Sequence, residues 1–302
     1  MRITVPIRAP LLSLLTLLCA ASAVAEGPES VAELNKQLAN PVSSLWSIAF
    51  QQNNYLIDPG PGEDLRWNSN LNFQPVMPVG ITDDWNLITR PVITAFNSVP
   101  HPRENVSPVD WTRSETFGDS VLMELVSPSP KLAGQWLLGL GPTFIFPTAN
   151  SEWTGQGKYQ AGPAGLAGYL AEKWILGALV QQWYSFSGAG GSRASTSQMN
   201  FQPFAAYFLE DGWSIGYSGN ILANWKADAG NVWTVPIGVA VGKVQKFGKL
   251  PIKIQLAAQY MVARPDELGQ KWNFQLMFVP VLPKLIKGNF ADPSSLHFGL
   301  KN

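Results

Sequence analysis

The sequence is poor in the residues that most enzyme sites need. It has one cysteine, Cys19, and two histidines, His101 and His297. Cys19 lies in a leader that we expect to be removed, so the mature chain offers no disulfide, thiolate metal site or cysteine nucleophile. With only two histidines, the chain is also a poor candidate for a histidine metal centre or a serine–histidine hydrolase. No motif predicts a cofactor.

Charge and long apolar runs are scarce too. Charged residues make up 14% of the chain, against roughly 25% in soluble domains, and no basic cluster predicts a nucleic-acid partner. Beyond the leader, no run approaches the ~18 apolar residues of a membrane-spanning helix. The chain nevertheless has 12 tryptophans and 15 phenylalanines. This combination leaves two classes, a soluble all-β protein or a membrane β-barrel.

The start of the chain predicts export. Arg2 and Arg8 precede the apolar stretch Leu11–Leu18, and Ala23-Val24-Ala25 forms a small-residue cleavage site. These are the parts of a secretory signal peptide. The alternative, a lipoprotein leader, needs a small residue immediately before the cysteine, and leucine stands there.

We expect the chain to divide into four segments. They are a signal peptide at 1–25, an N-terminal periplasmic or plug segment with a short helix at 26–44, a barrel at 45–283 and a C-terminal tail at 284–302. The tail is expected to hang into the periplasm.

Four segments alternate apolar and polar side chains with the period of a β-strand. They are Arg66–Met77, Trp213–Lys226, Ile252–Val262 and Lys271–Phe278. They are mostly about 10–14 residues long, whereas ordinary strands average about 5–6 and a tilted membrane strand needs roughly 9–11. Tryptophans stand near many strand ends, as in the aromatic girdles of outer-membrane barrels. The pattern therefore favours a membrane barrel over a soluble sandwich.

The connections support the same fold class. We predict about twelve strands, starting near Leu45, Arg66, Trp85, Glu115, Leu132, Gly162, Trp174, Gln198, Trp213, Val232, Pro251 and Lys271. Long loops, of which 97–114 is the longest, alternate with short turns, and in outer-membrane barrels these face the outside and the periplasm respectively. The predicted fold is an all-β, antiparallel transmembrane β-barrel of about twelve strands with a short N-terminal helix.

Two features interrupt the regular pattern. Glu29–Asn40 has helical periodicity and ends before Pro41; it lies at the periplasmic mouth, enters the lumen as a plug, or extends freely. Prolines fall inside many predicted strands, where they indicate either bulges and strand ends or a shared constriction. They are Pro75, Pro78, Pro91, Pro142, Pro203, Pro236 and Pro280.

Strand parity predicts which side chains line the lumen. The candidates are Arg66, Asn68, Asn70, Asn72, Gln74, Arg90, Glu124, Gln202, Asn220, Asn224, Lys253, Gln255 and Gln259. Such a wall is mostly neutral and rich in amides, which suits water or small polar solutes better than a steep ion selector. Leu137, Phe204 and Phe208 share the inward parity, and they would narrow the lumen or contact an apolar solute.

Glu124 lies within a predicted strand, among Val121, Met123 and Leu125. An acid at membrane depth needs a partner. Arg90, on the preceding strand, is the candidate. The pair would either serve function or merely fix the lumen.

Several motifs resemble those of one large bacterial family. They are Leu38-Ala39-Asn40-Pro41-Val42-Ser43-Ser44-Leu45, Asn72-Phe73-Gln74-Pro75-Val76-Met77-Pro78, Asp84-Trp85-Asn86-Leu87-Ile88-Thr89-Arg90, Gly139-Leu140-Gly141-Pro142-Thr143-Phe144, Phe146-Pro147-Thr148-Ala149, Gln202-Pro203-Phe204 and Trp233-Thr234-Val235-Pro236-Ile237. The family is the set filed under the MetA pathway of phenol degradation, often mislabelled neuromedin U. The match runs from about Val31 to Pro283. The resemblance implies an outer-membrane barrel with a transport function, without an agreed substrate or established site residues.

Three functions remain open at this point. The first is an outer-membrane channel or transporter for small polar or aromatic solutes. The second is a structural barrel whose outer loops, 97–114 above all, bind something extracellular. The third and most remote is a lipid hydrolase built on a barrel. The expected partners are outer-membrane lipids, the barrel assembly machinery and an unidentified small solute.

Overall fold

The computed structural model describes residues 30–103, 110–188 and 193–298, without the side chains of Asn97 and Phe298. The predicted signal peptide lies outside the described residues. Fourteen strands build a closed wall: β1 (Trp46–Asp58), β2 (Arg66–Gly80), β3 (Trp85–Pro102), β4 (Trp111–Phe117), β5 (Ser120–Pro128), β6 (Trp136–Phe146), β7 (Lys158–Leu170), β8 (Trp174–Gly188), β9 (Ser197–Phe208), β10 (Trp213–Ser218), β11 (Ile221–Asn224), β12 (Trp233–Phe247), β13 (Leu250–Ala263) and β14 (Gly269–Leu282).

The wall is an antiparallel meander that closes on itself. Neighbouring strands pair in sequence order, and β1 pairs with both β2 and β14, which leaves no edge in the ring. Strands β4 and β5 both pair with β3, and β10 and β11 both lie between β9 and β12. The fourteen strands therefore occupy about twelve positions around the ring.

The predicted fold class is confirmed, and the strand count is slightly higher than the predicted twelve. Two predicted strands, those starting near Glu115 and Trp213, are each divided in two. The breaks fall at Gly118-Asp119 and at Gly219-Asn220. Glycine weakens a strand interior because it has no side chain to pack, and it tolerates an abrupt change of direction.

Short turns lie at one end of the barrel and longer connections at the other. The short turns are 81–84, 171–173, 209–212 and 248–249, together with 129–135, which contains the helix α2 (Pro130–Ala133). At the other end, the predicted loop 97–114 is mostly strand, because β3 continues to Pro102 and β4 begins at Trp111. The connection is therefore shorter than predicted, and residues 104–109 within it lie outside the described part.

The outer face of the wall is apolar and bordered by tryptophan. At the short-turn end, Trp85, Trp136, Trp174 and Trp213 are each more than a third exposed, and Trp67, Trp225, Trp233 and Trp272 form the matching ring at the loop end. Between the rings, Leu140 is 71% exposed and Leu256 61%. From Trp174 to Tyr184 on β8, ~3.3 Å per residue at a tilt of ~40° gives a band ~25 Å tall. These are the dimensions of a barrel wall that faces lipid.

The strand prolines lie at different heights. Pro78 and Pro280 are near the short-turn ends of β2 and β14, Pro236 is at a bulge near the loop end of β12, and the mid-wall holds Pro75, Pro91, Pro142 and Pro203. A missing N–H at each site breaks one ladder contact locally. Three of the seven prolines therefore lie outside the mid-wall, and one shared constriction does not account for them.

The ends of the chain both contact the short-turn end of the barrel. Helix α1 (Val31–Ala39) begins at Ser30, whose side chain accepts a hydrogen bond from the Glu33 N–H at 3.1 Å. After β14, strands β15 (Ile286–Asn289) and β16 (Asp292–Phe298) form a hairpin. The Phe290 N–H donates to the Gly80 carbonyl at 3.0 Å, so the tail docks on the β2–β3 turn instead of hanging free. Within the described chain, neither α-helix has the length and apolarity to cross a membrane.

Candidate functional site: a polar cavity in the barrel

A cavity of about 180 Å³ lies inside the barrel, in the half nearer the short turns. The end of helix α1 and the segment that follows it, residues 37–45, form its floor on the short-turn side. Inward side chains of β1, β2, β3, β9, β13 and β14 form its walls. The wall and the helix together therefore define an interior site.

Helix α1 is held in the mouth of the barrel by one buried side chain. Asn35 is 1% exposed, and its Nδ2 donates to the carbonyls of Gly212 and Trp213, both at 3.1 Å. Leu34, on the same side of the helix, is 3% exposed. Ala39 and Val42 pack against the apolar cluster on the inner wall. Of the placements that the sequence left open, the structure has the helix inside the short-turn mouth.

A chain of amide hydrogen bonds crosses four neighbouring strands on one side of the cavity. Arg90 Nη2 donates to Gln74 Oε1 at 2.9 Å, and Gln74 Nε2 donates to Gln51 Oε1 at 3.1 Å. Gln51 and Gln275 each donate to Asn53 Oδ1 at 3.0 Å. Because each amide both donates and accepts, the side chains fix one another and form a continuous polar surface.

A second amide layer lies above the cavity, towards the loops. Asn53 donates to Asn70 at 2.9 Å, and Asn273 donates to Gln259 at 3.2 Å. These side chains are all less than 10% exposed. They narrow the lumen on this side, as expected for a barrel of this width.

The opposite side of the cavity carries an apolar patch. Ile175 on β8 and Phe204 on β9 form it, and both belong to a buried cluster that includes Leu137 and Phe208. Polar side chains of β9 and β10, Gln202 and Ser218 among them, line the cavity beside this patch. In strand order, β8 and β9 lie across the ring from β1 and β2, so the apolar patch faces the amide side.

The structure divides the predicted lumen residues into groups. Those that line the cavity are Gln74, Arg90, Gln202, Asn220, Lys253 and Gln255. Asn68, Asn70, Asn72 and Gln259 lie on the inner face in or near the upper amide layer, where Thr94 Oγ1 donates to Asn72 Oδ1 at 2.9 Å.

Arg66 and Asn224 lie at the loop end, away from the cavity. Arg66 Nη2 is 3.2 Å from Glu63 Oε2, and its guanidinium carbon is 4.0 Å from the centre of the Trp111 ring. Asn224, the last residue of β11, is exposed and accepts a hydrogen bond from the Lys226 N–H at 3.1 Å.

Glu124 does not line the lumen, and this placement corrects the prediction. Glu124 pairs with Thr89, and Met123 pairs with Arg90, so Glu124 and Arg90 point to opposite faces of the wall. The Thr89 hydroxyl donates to Glu124 Oε2 at 2.7 Å on the outer face. The predicted ion pair is therefore wrong. Its face was misread because β5 is apolar on the inside as well, where Met123 and Leu125 are buried.

Parity reasoning missed Gln51 and Asn53, which are central to the amide chain. They belong to the run Gln51-Gln52-Asn53-Asn54, which has amides on both faces of β1. Alternation alone assigns no inner face to such a run. The signal that would have found them is the register of β1 with β2, where Gln51 pairs with Asn72 and Asn53 with Asn70.

His101 contacts a serine on the neighbouring strand β4. His101 Nε2 is 2.8 Å from Ser114 Oγ, and Nδ1 is 3.2 Å from the Pro102 carbonyl. Phe117 on the same strand is 53% exposed on the outer face. Ser114 is three residues away and therefore points to the opposite face, away from lipid. This arrangement does not present a nucleophile to a lipid substrate.

The described chain is similar to solved barrel structures. The COG4313 outer membrane channel from Pseudomonas putida F1 is 15% identical, with 85% of this chain and 100% of that chain covered and a TM-score of 0.58. The NanC porin is 8% identical over 79% of this chain and 99% of that one, with a TM-score of 0.46. The Salmonella typhi outer membrane phospholipase is 11% identical over 86% and 98%, with a TM-score of 0.37.

No family model and no curated protein matches the sequence. The resemblance to the phenol-pathway family is therefore not confirmed. The two likenesses with TM-scores below 0.5 are too distant to indicate a function. The likeness to the channel from Pseudomonas putida shows the fold of this chain, a closed antiparallel barrel.

Proposed function

We propose that the protein is an outer-membrane channel that admits small polar or aromatic solutes. The observation that carries the proposal is the cavity inside the closed wall. The same strands that turn apolar side chains outward, such as Leu256 on β13, turn Lys253 and Gln255 into the cavity. A wall with a lipid face and a wet interior is the arrangement that a membrane channel requires.

The size and the two sides of the cavity support this class of solute. Its volume of about 180 Å³ slightly exceeds the ~150 Å³ of a cavity that holds benzene. The amide side exchanges hydrogen bonds with a polar group without a strong field. The apolar side, with Phe204 and Ile175, offers contact to a ring.

Helix α1 gives the channel a restriction at its short-turn end. Two hydrogen bonds from Asn35 anchor the helix at the β9–β10 turn. A solute that leaves the cavity in this direction passes between the helix and the wall. Displacement of the helix is therefore part of the proposed passage.

The proposal includes the route by which the protein reaches its membrane. The 1–25 leader exports it, the barrel assembly machinery inserts it, and the two tryptophan rings contact the interfaces of the outer membrane. Heat-modifiable migration of the outer-membrane fraction on a gel tests this part. Recovery of the protein as soluble periplasmic material would contradict it.

Liposome swelling tests the channel itself. Full-length mature protein is reconstituted and challenged with arabinose, glycine and benzyl alcohol, beside liposomes without protein. We expect passage of at least one solute, at a higher rate for Asn35→Ala than for the natural protein. Protein-independent rates for all three, in both forms, would favour the structural barrel with binding loops.

A further inference from the structure

Two buried cations line the cavity without a counter-ion. Arg90 and Lys253 are its charged lining residues, and no aspartate or glutamate of the described chain lines it. Lys253 is 7% exposed, and no hydrogen bond or ion pair joins its ammonium group to a described residue. Among the described residues, Arg90 donates only to the neutral Gln74, and its Nε has no hydrogen-bond partner.

Such an arrangement is costly unless a ligand completes it. A buried charge without a partner is one of the most destabilising features a protein can contain. Charged groups at membrane depth face water-filled interiors and mark the paths of substrates or ions. The missing negative charge is thus most simply supplied by a solute in the cavity.

The positions of the two cations define where that charge sits. Arg90 is on β3 and Lys253 on β13, and between them around the ring lie β2, β1 and β14. Gln74, Gln51 and Gln275 occupy this arc and line the same cavity. The cations therefore border the two edges of the amide side.

The apolar residues of the cavity indicate which chemical group carries the negative charge. Ile175 and Phe204 face the amide arc from across the ring. A solute with a carboxylate at one end and an apolar ring at the other satisfies both sides at once. The cavity volume of about 180 Å³ fits a single ring.

We propose that this cavity is a binding subsite for small aromatic monocarboxylates, with the carboxylate held in the amide arc between Arg90 and Lys253 and the ring on the side of Phe204. The inference rests on the proposed channel function and narrows its solute class from polar or aromatic molecules to anionic ones. Arg90, already fixed by Gln74, orients the carboxylate; Lys253 supplies a free ammonium group.

Calorimetric titration of the full-length mature protein in detergent tests the subsite. Benzoate is compared with benzamide, which has the same shape and no charge. A charge-assisted hydrogen bond contributes ~1.5–3 kcal/mol, so benzoate should bind about tenfold to a hundredfold more tightly. Equal affinity for the two probes overturns the proposal without any mutation.

Two charge-removing variants locate the site. Lys253→Met and Arg90→Met should each weaken benzoate binding about tenfold or more while leaving benzamide nearly unchanged. Lys131→Met, at an exposed turn outside the wall, is the matched control and should bind both probes as the natural protein does. Natural affinity for benzoate in both cavity variants overturns the proposal. Heat-modifiable gel migration verifies that each variant is folded.

Liposome flux of the same two probes separates this inference from the channel function. If both probes enter faster than they enter protein-free liposomes but benzoate is not bound preferentially, the channel stands and the anion subsite is overturned. If benzoate binds preferentially but neither probe enters faster than it enters protein-free liposomes, the subsite stands and the channel function is wrong.

Discussion

Arg90 and Glu124 lie on paired strands, yet one points into the lumen and the other towards lipid. Arg90 donates to Gln74 inside the barrel at 2.9 Å, and Glu124 accepts from Thr89 outside it at 2.7 Å. The wall itself separates the two charges. Each therefore belongs to a different environment, and their energetic contributions should be independent.

A double-mutant cycle checks this independence. Arg90→Met and Glu124→Gln should change the free energy of unfolding additively, within about 0.5 kcal/mol. Thr89→Val and Glu124→Gln remove the two partners of one hydrogen bond and should couple by more than that, because loss of either partner leaves the other unsatisfied. Urea unfolding in lipid vesicles measures both cycles; a larger coupling for the Arg90 cycle would contradict the assigned faces.

Asn35 anchors the helix that forms the proposed restriction at the short-turn end. Asn35→Ala removes both hydrogen bonds that hold the helix to Gly212 and Trp213. Since buried acceptors without donors cost ~1–3 kcal/mol, the docked helix is weakened and single-channel conductance in planar bilayers should rise. Lys36→Ala is the control, because the ion pair described for Lys36 is with Glu33 on the same helix and does not join the helix to the wall. Unchanged conductance in Asn35→Ala would mean that the helix is not the restriction.

Gly141 permits a close approach of two wall strands next to Pro142. A Cβ added at Gly141 would lie 1.9 Å from the Glu124 carbonyl oxygen on β5. Gly141→Ala should therefore push the strands apart and destabilise the barrel by ~1–3 kcal/mol or more. At Gly165 on β7 the nearest atoms to such a Cβ are side-chain carbons at 3.8 Å. Gly165→Ala should be tolerated, and equal losses in vesicle unfolding would refute the argument.

A charged side chain on the lipid-facing surface of the wall should lower the free energy of unfolding far more than one placed outside the wall. Leu256→Arg places a cation near the middle of the apolar band, at a cost of ~2–4 kcal/mol. Leu132 is 55% exposed on the short helix α2, outside the wall, and Leu132→Arg should stay within about 0.5 kcal/mol. Unfolding of both variants in vesicles provides the comparison. Similar, small effects would indicate that β13 faces water.

Acid should loosen the loop end around Asp58. This last residue of β1 lies beyond the tryptophan ring, and the hydrogen bond from Arg264 at 2.9 Å holds its pKa below the ordinary value. A carboxyl with a lowered pKa stabilises the fold above its ordinary pKa, and this contribution is lost as the pH falls through the lowered value. The protection factor for hydrogen exchange at the Gly60 N–H, which donates to Asp58 at 3.3 Å, should fall over that range. In Asp58→Asn this fall should be absent.

The period of two in the sequence was enough to predict the barrel and much of its interior. In β2 the inward amides from Asn68 to Gln74 alternate with Ser69, Leu71 and Phe73, and only one face of that strand suits lipid. The rule fails on β5, where both faces are apolar because its inside packs in the cluster with Ile88 and Leu137. Hydrophobicity there carries no information about direction.

Other features depend on contacts that are remote in sequence. The docking of α1 rests on Asn35 meeting carbonyls 177 and 178 residues away, and nothing local to the helix indicates that position. The pairing of the tail hairpin with Gly80 is equally remote. That no described acidic residue lines the cavity beside Lys253 becomes visible only when all the strands that surround it are in place.

The link between α1 and β1 has a consequence for the order of assembly. Only residues 40–45 separate the helix from the strand that joins β14 and completes the ring. The helix that occupies the mouth of the barrel and the strand that closes the ring are thus adjacent in sequence. The helix must therefore reach the barrel together with β1. A ring sealed before the helix had entered would have to draw it in through the short-turn mouth or open again between β1 and β14.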